Sequence, residues 1–403
     1  MKKRANNSSK NKFGGLNWRR ILGVIIIMGT ILNVGISLYF SVKPKTPRFT
    51  PDIFENEPRE GKIGTYVYNH NAVANDSKVM DDLALMVDRV LIDVTWNRVM
   101  ENDSETPFDW DAYQFYEDFF QNLSERGLEI VVQFDPTRSP PDWLNIDFEM
   151  SSYRIITPPA EEEGYQRFEK QLMRYVNQTV QYFKGKEYLV SPIEWCLADE
   201  PHPEEWLSVL QTMYDAIKLQ DPESLVSVVE HKKELYAAFS GAYDMFTIDP
   251  YGSDRDLEEK IRLAYDVTKE EKPVRVIISG MERDNDYYMI RRQMVLSWFL
   301  GAYDIWFWSY NSRWHGNVED KHWYVVLWDE EGPIHTHRAT AIIEGRNDIQ
   351  RFARIEAAKI NQSLSNQLRE SLKDFEQQAY EQIMKTKFTE ANNTLNEAMS
   401  LLN

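Results

Sequence analysis

The sequence predicts an α/β chain: a (β/α)8 TIM barrel preceded by one transmembrane helix and followed by a C-terminal helical extension. Three observations carry that reading. Eight short apolar runs alternate with amphipathic stretches between residues 62 and 308, and such alternation argues a parallel sheet. Eight units over about 250 residues match a closed barrel better than an open doubly wound sheet. No Gly-x-Gly-x-x-Gly turn follows the first run, which weakens the dinucleotide-binding alternative.

The barrel elements follow in order. Strands are predicted at 62–68, 90–94, 128–134, 192–198, 225–229, 245–248, 274–279 and 305–308. Between them, helices are predicted at 78–87, with Asp76 or Ser77 as cap, and at 110–126, closed by Gly127. Further helices follow at 163–183, 204–219, 232–239 (short), 257–268 and 287–300. The stretch 333–354 supplies the last barrel helix. The barrel domain is thus 61–354. Residues 355–403 are rich in Ala, Leu, Gln, Glu, Lys and Asn. They read as two helices broken near 385–389, packed on the barrel or binding a protein partner, and packing gives an amphipathic helix the surface it needs.

Residues 1–20 carry Lys2, Lys3, Arg4, Lys10, Lys12, Arg19 and Arg20 and no acid. The stretch 21–42 has no charge. At about 1.5 Å per residue it matches the roughly 30 Å hydrocarbon core. The basic excess before it predicts a signal anchor with a cytoplasmic N-terminus and an extracellular body in the cell membrane. Residues 43–60, with Pro44, Pro47, Pro51 and Pro58, read as an extended stalk.

The 403 residues hold 46 basic and 64 acidic side chains, for a net charge of −18. That balance argues against a nucleic-acid partner, since phosphate contacts need clustered bases. The single Cys196 excludes an internal disulfide and a cysteine-based metal cluster. His231, His315, His322, His335 and His337 show no zinc-type spacing, so neither metal nor cofactor is expected. Twelve Trp and 21 Tyr either fill a large core or line a carbohydrate cleft.

Chemistry concentrates at the strand ends. The run Trp195-Cys196-Leu197-Ala198-Asp199-Glu200-Pro201 is a buried strand stopped by two acids and a proline, which has no N–H for a ladder. Asp93, Asp135, Glu230 and Asp249 stand at other strand ends, and Glu282 follows the seventh strand. In a barrel these ends share one mouth, and crowded carboxylates there supply general acid and base groups. Arg138, Trp143, Tyr251, Trp306, Trp308, Tyr310 and Trp314 are the candidate substrate walls. Paired carboxylates beside aromatic walls point to glycoside hydrolysis of a carbohydrate substrate, and two mechanisms fit. In one, Glu200 is the acid/base and Glu282 the nucleophile. In the other, the substrate's 2-acetamido group attacks the anomeric carbon, Asp199 orients it, and Glu200 protonates the leaving oxygen. An acetamide N–H that becomes acidic calls for a carboxylate acceptor, and the residue before Glu200 is Asp199. A non-catalytic glycan-binding or scaffold barrel is the reading from another class.

The segment WCLADEPHPEEW resembles the Asp-Glu-Pro motif of glycoside hydrolase family 123 and of the related domain of unknown function 4091 group. The segment GPIHTHRATAIIEGRNDIQRFARIEA is similar to that group's C-terminal signature, carried here by Gly332, Pro333, Ile334, Arg338, Glu344, Gly345 and Asp348. The run WFWSYNSRW is similar to its eighth-strand segment. The resemblance covers roughly residues 60–355 and implies a barrel that hydrolyses β-linked N-acetylhexosamine, with Asp199 and Glu200 as the pair. It also has departures. No amino-terminal β-sandwich precedes the barrel, and the helical tail and apolar anchor are additions.

Overall fold

The computed structural model describes residues 54–402 apart from 55–57, 68–72, 74–75, 104–107, 135, 139, 147, 149–155, 190–191, 202–205, 231, 250–253, 270, 279–286, 312–324, 330–331 and 362. These belong to one compact unit, Phe49–Asn403. The apolar stretch 21–42 and the basic stretch 1–20 lie outside the described residues. Among the described residues, no helix is long and apolar enough to cross a membrane.

Eight parallel strands close in sequence order into a barrel: β1 (Ile63–Tyr66), β2 (Arg89–Asp93), β3 (Glu129–Gln133), β4 (Glu194–Asp199), β5 (Val226–Glu230), β6 (Met245–Ile248), β7 (Val274–Ile278) and β8 (Ile305–Phe307). The long helices around the barrel are α1 (Ser77–Met86), α2 (Trp110–Ser124), α3 (Glu162–Phe183), α4 (Trp206–Gln220), α5 (Asp254–Thr268), α6 (Tyr287–Phe299) and α7 (His337–Ile360). Closure comes from β1 pairing with β8, with Gly64 opposite Trp306. Helix starts follow side-chain chemistry. The Asp76 carboxylate accepts from the backbone N–H groups of Lys78 and Val79 at 2.9 and 3.3 Å, and Asp109 caps α2 through Ala112 N at 2.9 Å, each satisfying orphan donors of a first turn.

Three predicted elements differ. The helix expected at 232–239 is two 3-10 turns, Lys233–Leu235 and Ala238–Gly241. The segment before α7 forms an antiparallel hairpin, β9 (Val326–Asp329) with β10 (Gly332–His335), so the last barrel helix starts at His337 rather than at 333. The chain expected as stalk already joins the packed body at Phe54, 6% exposed, and Arg59, 2% exposed. The Arg59 guanidinium bonds Glu356 at 2.8 Å and the carbonyls of Trp298 and Ala302 at 2.6 and 3.1 Å. It also lies 3.7 Å from the Trp298 ring centroid.

Inward and outward residues form two separate cores. The mantle between strands and helices is one large apolar cluster. The lumen holds Tyr66, Leu91, Val131, Cys196, Val229, Ile277 and Trp306, with Trp308 packed against them. Below this plug lies a layer of charge. Arg275 bonds Glu194 at 2.7 Å and Asp304 at 2.8 Å, and Arg89 bonds Asp304 and Glu129 at 2.7 Å each. Burial pushes the Asp304 carboxyl up, but Arg275 and Arg89 outweigh it and hold the group below its usual range. Gly64 leaves room for the Trp306 indole: a Cβ there would stand 2.1 Å from the ring.

The C-terminal extension is α8 (Asn366–Met384) and α9 (Phe388–Ser400), broken where the sequence predicts. Both pack on α6 and α7. Phe299 meets Tyr380 at 4.3 Å between ring centroids, and Asn392 of α9 accepts from Arg291 at 3.1 Å. The family-like C-terminal signature serves this packing. Arg291 bonds Glu344 at 2.5 Å and Asp348 at 2.7 Å, and Gly345 admits Met294, whose Sδ would lie 2.5 Å from an added Cβ.

Arg59→Ala removes the guanidinium that bonds the buried Glu356 carboxylate, and breaking a buried ion pair by removing one partner costs about 3–5 kcal/mol. Urea denaturation of the variant should show a loss of that size. A loss under about 0.5 kcal/mol, the range of ordinary surface changes, would contradict the placement.

Candidate active site

The site lies where the strands end. Strand β4 pairs with β5 through Cys196 opposite Ser227 and then Asp199 opposite Val229. Three steps along β4 thus face two along β5, which is a β-bulge. Simple alternation from the inward Glu194 and Cys196 would turn Ala198 inward and Asp199 outward. The extra residue reverses the phase. Leu197 and Ala198 both pack in the mantle, and Asp199 shares the side of Val229, a lumen residue. The Glu200 N–H still reaches the Val229 carbonyl at 2.9 Å. Glu200 then takes a left-handed conformation, φ 54°, which non-glycine residues adopt rarely and mostly where the surrounding structure imposes it. Both acids are half-buried.

Asp199 accepts from Arg138 Nη1 at 2.7 Å, across from the loop after β3. Asp93, at the end of β2, accepts from Gln133 Nε2 at 2.7 Å on one oxygen and from the Tyr66 hydroxyl on the other. The Tyr66 ring stacks on Trp308 with centroids 4.4 Å apart and planes 19° apart. The Trp308–Ser309 peptide is cis. Cys196 lies beneath, its thiol 3.7 Å from Gln133 Oε1. Burial pushes that thiol well above its usual range, and the charges of Glu194 and Asp199 add to the shift. It is a packed hydrophobe rather than a nucleophile.

Glu230 is fully buried at the end of β5 and accepts from Lys232 N at 2.8 Å. Asp249, 6% exposed, receives Lys260 Nζ on its backbone carbonyl at 2.7 Å. These two acids are therefore more enclosed than Asp93, Asp199 and Glu200. Asp135, Tyr251, Glu282 and Trp314 lie outside the described residues, as do His231, His315 and His322.

Three expected wall residues have other surroundings. Trp306 is 2% exposed and plugs the lumen over Arg275, whose guanidinium lies 4.3 Å from its ring centroid. Tyr310 is fully buried and donates to Asp82 at 2.8 Å, on the α1 side of the barrel wall. The Trp143 indole N–H is engaged by the Met100 carbonyl at 3.0 Å. Trp308 remains in the lumen group beside Tyr66 and Asp93. His335 bonds Asp82 at 2.6 Å, and among the described residues no group of three or more His, Cys, Asp and Glu is placed to hold a metal ion. Tyr66 and Gln133 were not singled out by the sequence. Their signal was available: each is the last inward-facing residue of its strand, two positions beyond Gly64 and Val131.

Taken together, fold and site define a (β/α)8 barrel whose carboxyl face brings together Asp93, Asp199 and Glu200 with the stacked pair Tyr66 and Trp308. No protein-family model matches the chain, and no curated protein matches it in sequence. Among solved structures, it is similar to the endo-β-1,4-mannanase from Thermotoga petrophila, with 16% identity over 73% of this chain and 78% of that chain, at a TM-score of 0.52. It is similar to a GH5_18 from Streptomyces cattleya in complex with GlcNAc, with 13% identity over 73% and 81% of the two chains, at a TM-score of 0.56. The β-galactosidase from Bacillus circulans sp. alkalophilus aligns with 12% identity over 74% of this chain and 57% of that one, at 0.57. At such identities the likeness is one of fold.

Proposed function

We propose that the chain is a glycosidase acting on β-linked N-acetylhexosamine by a substrate-assisted, retaining mechanism. The observation that carries this reading is the bulge in β4, which turns Asp199 to the lumen side immediately before Glu200. The resemblance of the Asp-Glu-Pro segment to glycoside hydrolase family 123 supports it, as does the similarity in fold to a barrel solved with GlcNAc.

In this mechanism the acetamide oxygen attacks the anomeric carbon while the glycosidic C–O bond breaks. Glu200 gives its proton to the leaving oxygen. Asp199 accepts the acetamide N–H, whose acidity rises as positive charge develops on the bicyclic oxazoline intermediate. Glu200, now a carboxylate, takes a proton from water, the water oxygen bonds to the anomeric carbon, and the acetamide is released with configuration retained. Arg138 holds the Asp199 carboxylate in place at 2.7 Å. Trp308, backed by Tyr66, offers an aromatic face to the sugar ring.

The names of the mannanase and β-galactosidase barrels favour a second reading, in which Glu200 is paired with Glu282 as nucleophile on a sugar without an acetamide. Kinetics on aryl glycosides separate the two. On an aryl β-N-acetylhexosaminide, Glu200→Gln and Asp199→Asn should each lower kcat by about 100-fold or more, within the range of a lost general acid or electrostatic group, while Glu282→Gln changes it little. Full activity in both variants would sink the proposal. Turnover confined to β-mannosides or β-galactosides and abolished by Glu282→Gln would establish the second reading. Binding without turnover of any aryl glycoside would leave a scaffold or glycan-binding barrel.

The charge-free stretch 21–42 after a basic N-terminus supports a membrane-anchored chain with an extracellular body. The full chain should stay in the membrane pellet after alkaline carbonate extraction, whereas residues 48–403 alone should be soluble. Release of the full chain by carbonate would contradict the anchor.

A further inference from the structure

Tyr66 occupies a junction. Its strand lies between β2, which carries Asp93, and β8, which leads into Trp308. The phenol is 5% exposed, so it is placed to act on its neighbours rather than on solvent. Its ring covers one face of Trp308 at 4.4 Å, while its hydroxyl donates to Asp93. The other Asp93 oxygen is fixed by Gln133 Nε2 at 2.7 Å. The Gln133 carbonyl oxygen accepts in turn from the Cys196 thiol at 3.7 Å, one strand away and three residues before Asp199. A chain of contacts therefore runs from Trp308, just beyond β8, through β1, β2 and β3, to the strand that carries the paired acids.

We infer that Tyr66 is a positioning residue of this site, holding the Trp308 ring and the Asp93 carboxylate in one fixed arrangement at the barrel mouth. This rests on the glycosidase reading of the site, and it assigns Tyr66 no proton-transfer step. A residue of this kind acts on how the sugar ring is held, so its loss falls on KM before kcat. A phenol that merely filled the lumen would affect stability and leave both constants alone.

The test uses Tyr66→Phe, which keeps the ring and removes the donor, and Asp93→Asn, which weakens the same bond from the other side. Kinetics on an aryl β-N-acetylhexosaminide are combined with 19F spectra of protein labelled with 5-fluorotryptophan, the Trp308 resonance being identified by its loss in Trp308→Phe. Tyr66→Phe should raise KM about tenfold, the size expected for a lost hydrogen bond to a charged group. It should leave kcat and both limbs of the pH profile within about twofold, as for an interaction made equally in ground and transition states. It should also move the Trp308 resonance without ligand, and Asp93→Asn should move it as well. An unchanged KM and an unmoved resonance in Tyr66→Phe would overturn the inference. So would a kcat loss as large as that of Glu200→Gln, which would make Tyr66 part of the chemistry. If the parent protein turns over no aryl glycoside, the glycosidase reading fails, and the ligand-free resonance alone decides whether Tyr66 positions Trp308.

Discussion

A strand in a barrel sends alternate side chains to the lumen and to the mantle. Two adjacent acids at a strand end would therefore normally face opposite ways. The extra residue between Cys196 and Asp199 shifts the phase of the alternation ahead of both acids. It turns Leu197 and Ala198 together into the mantle and brings Asp199 to the lumen side. The backbone of Glu200 then leaves the strand in a left-handed turn, φ 54°, while its N–H remains bonded to Val229. Pro201 has no N–H with which to extend the ladder. The site depends on this short irregularity more than on any single contact, because it decides that Asp199 stands on the lumen side.

The charged layer below the lumen plug holds the register that the irregularity presupposes. Glu194, the first inward residue of β4, bonds Arg275 of β7 at 2.7 Å and the Ser227 hydroxyl of β5 at 2.7 Å. A one-residue slip of β4 would strand this carboxylate in the mantle, and a buried charge without partners costs several kcal/mol. Such a network is weak evidence for net stability, since its ions also lose hydration, but it is a strong discriminator between registers. Asp304, held below its usual range by Arg275 and Arg89 against the opposing effect of burial, keeps its charge into mildly acidic solution. A carboxyl shifted in this direction contributes stability above its unfolded pKa, and that contribution is lost as pH falls through the folded value. The floor and the mouth are thus linked through β4: charge pairing sets the register, and the bulge sets the aim.

Much of the fold was legible because a buried parallel strand writes itself as an apolar run bounded by turns, and eight such runs in order leave few topologies. Acids at the ends of β2, β4 and β5 were legible for the same reason. What escaped was what alternation alone cannot fix. Trp306 and Tyr310 stand beside Trp308 in sequence, yet Trp306 plugs the lumen over Arg275 and Tyr310 turns to Asp82 on α1. Sequence proximity to a strand end carries no side. Arg59 looked like part of a proline-rich stalk because its partner, Glu356, is 297 residues away. The double apolar step Leu197-Ala198 before Asp199 was the one visible sign of the bulge, and it is too short to separate from an ordinary strand end. The residues of the C-terminal signature resembled a family motif. Their contacts, Arg291 with Glu344 and Asp348, show them locking α6 to α7.

We propose that Asp199 and Glu200 act together on an acetamido sugar whose own carbonyl is the nucleophile. A calorimetric titration with a thiazoline analogue of the oxazoline intermediate tests it most directly. The parent protein should bind the analogue at least about 100-fold more tightly than the free N-acetylhexosamine, as expected of a mimic of a high-energy species, and Asp199→Asn should abolish the difference. Equal affinities for analogue and free sugar, or a preference that survives Asp199→Asn, would contradict it.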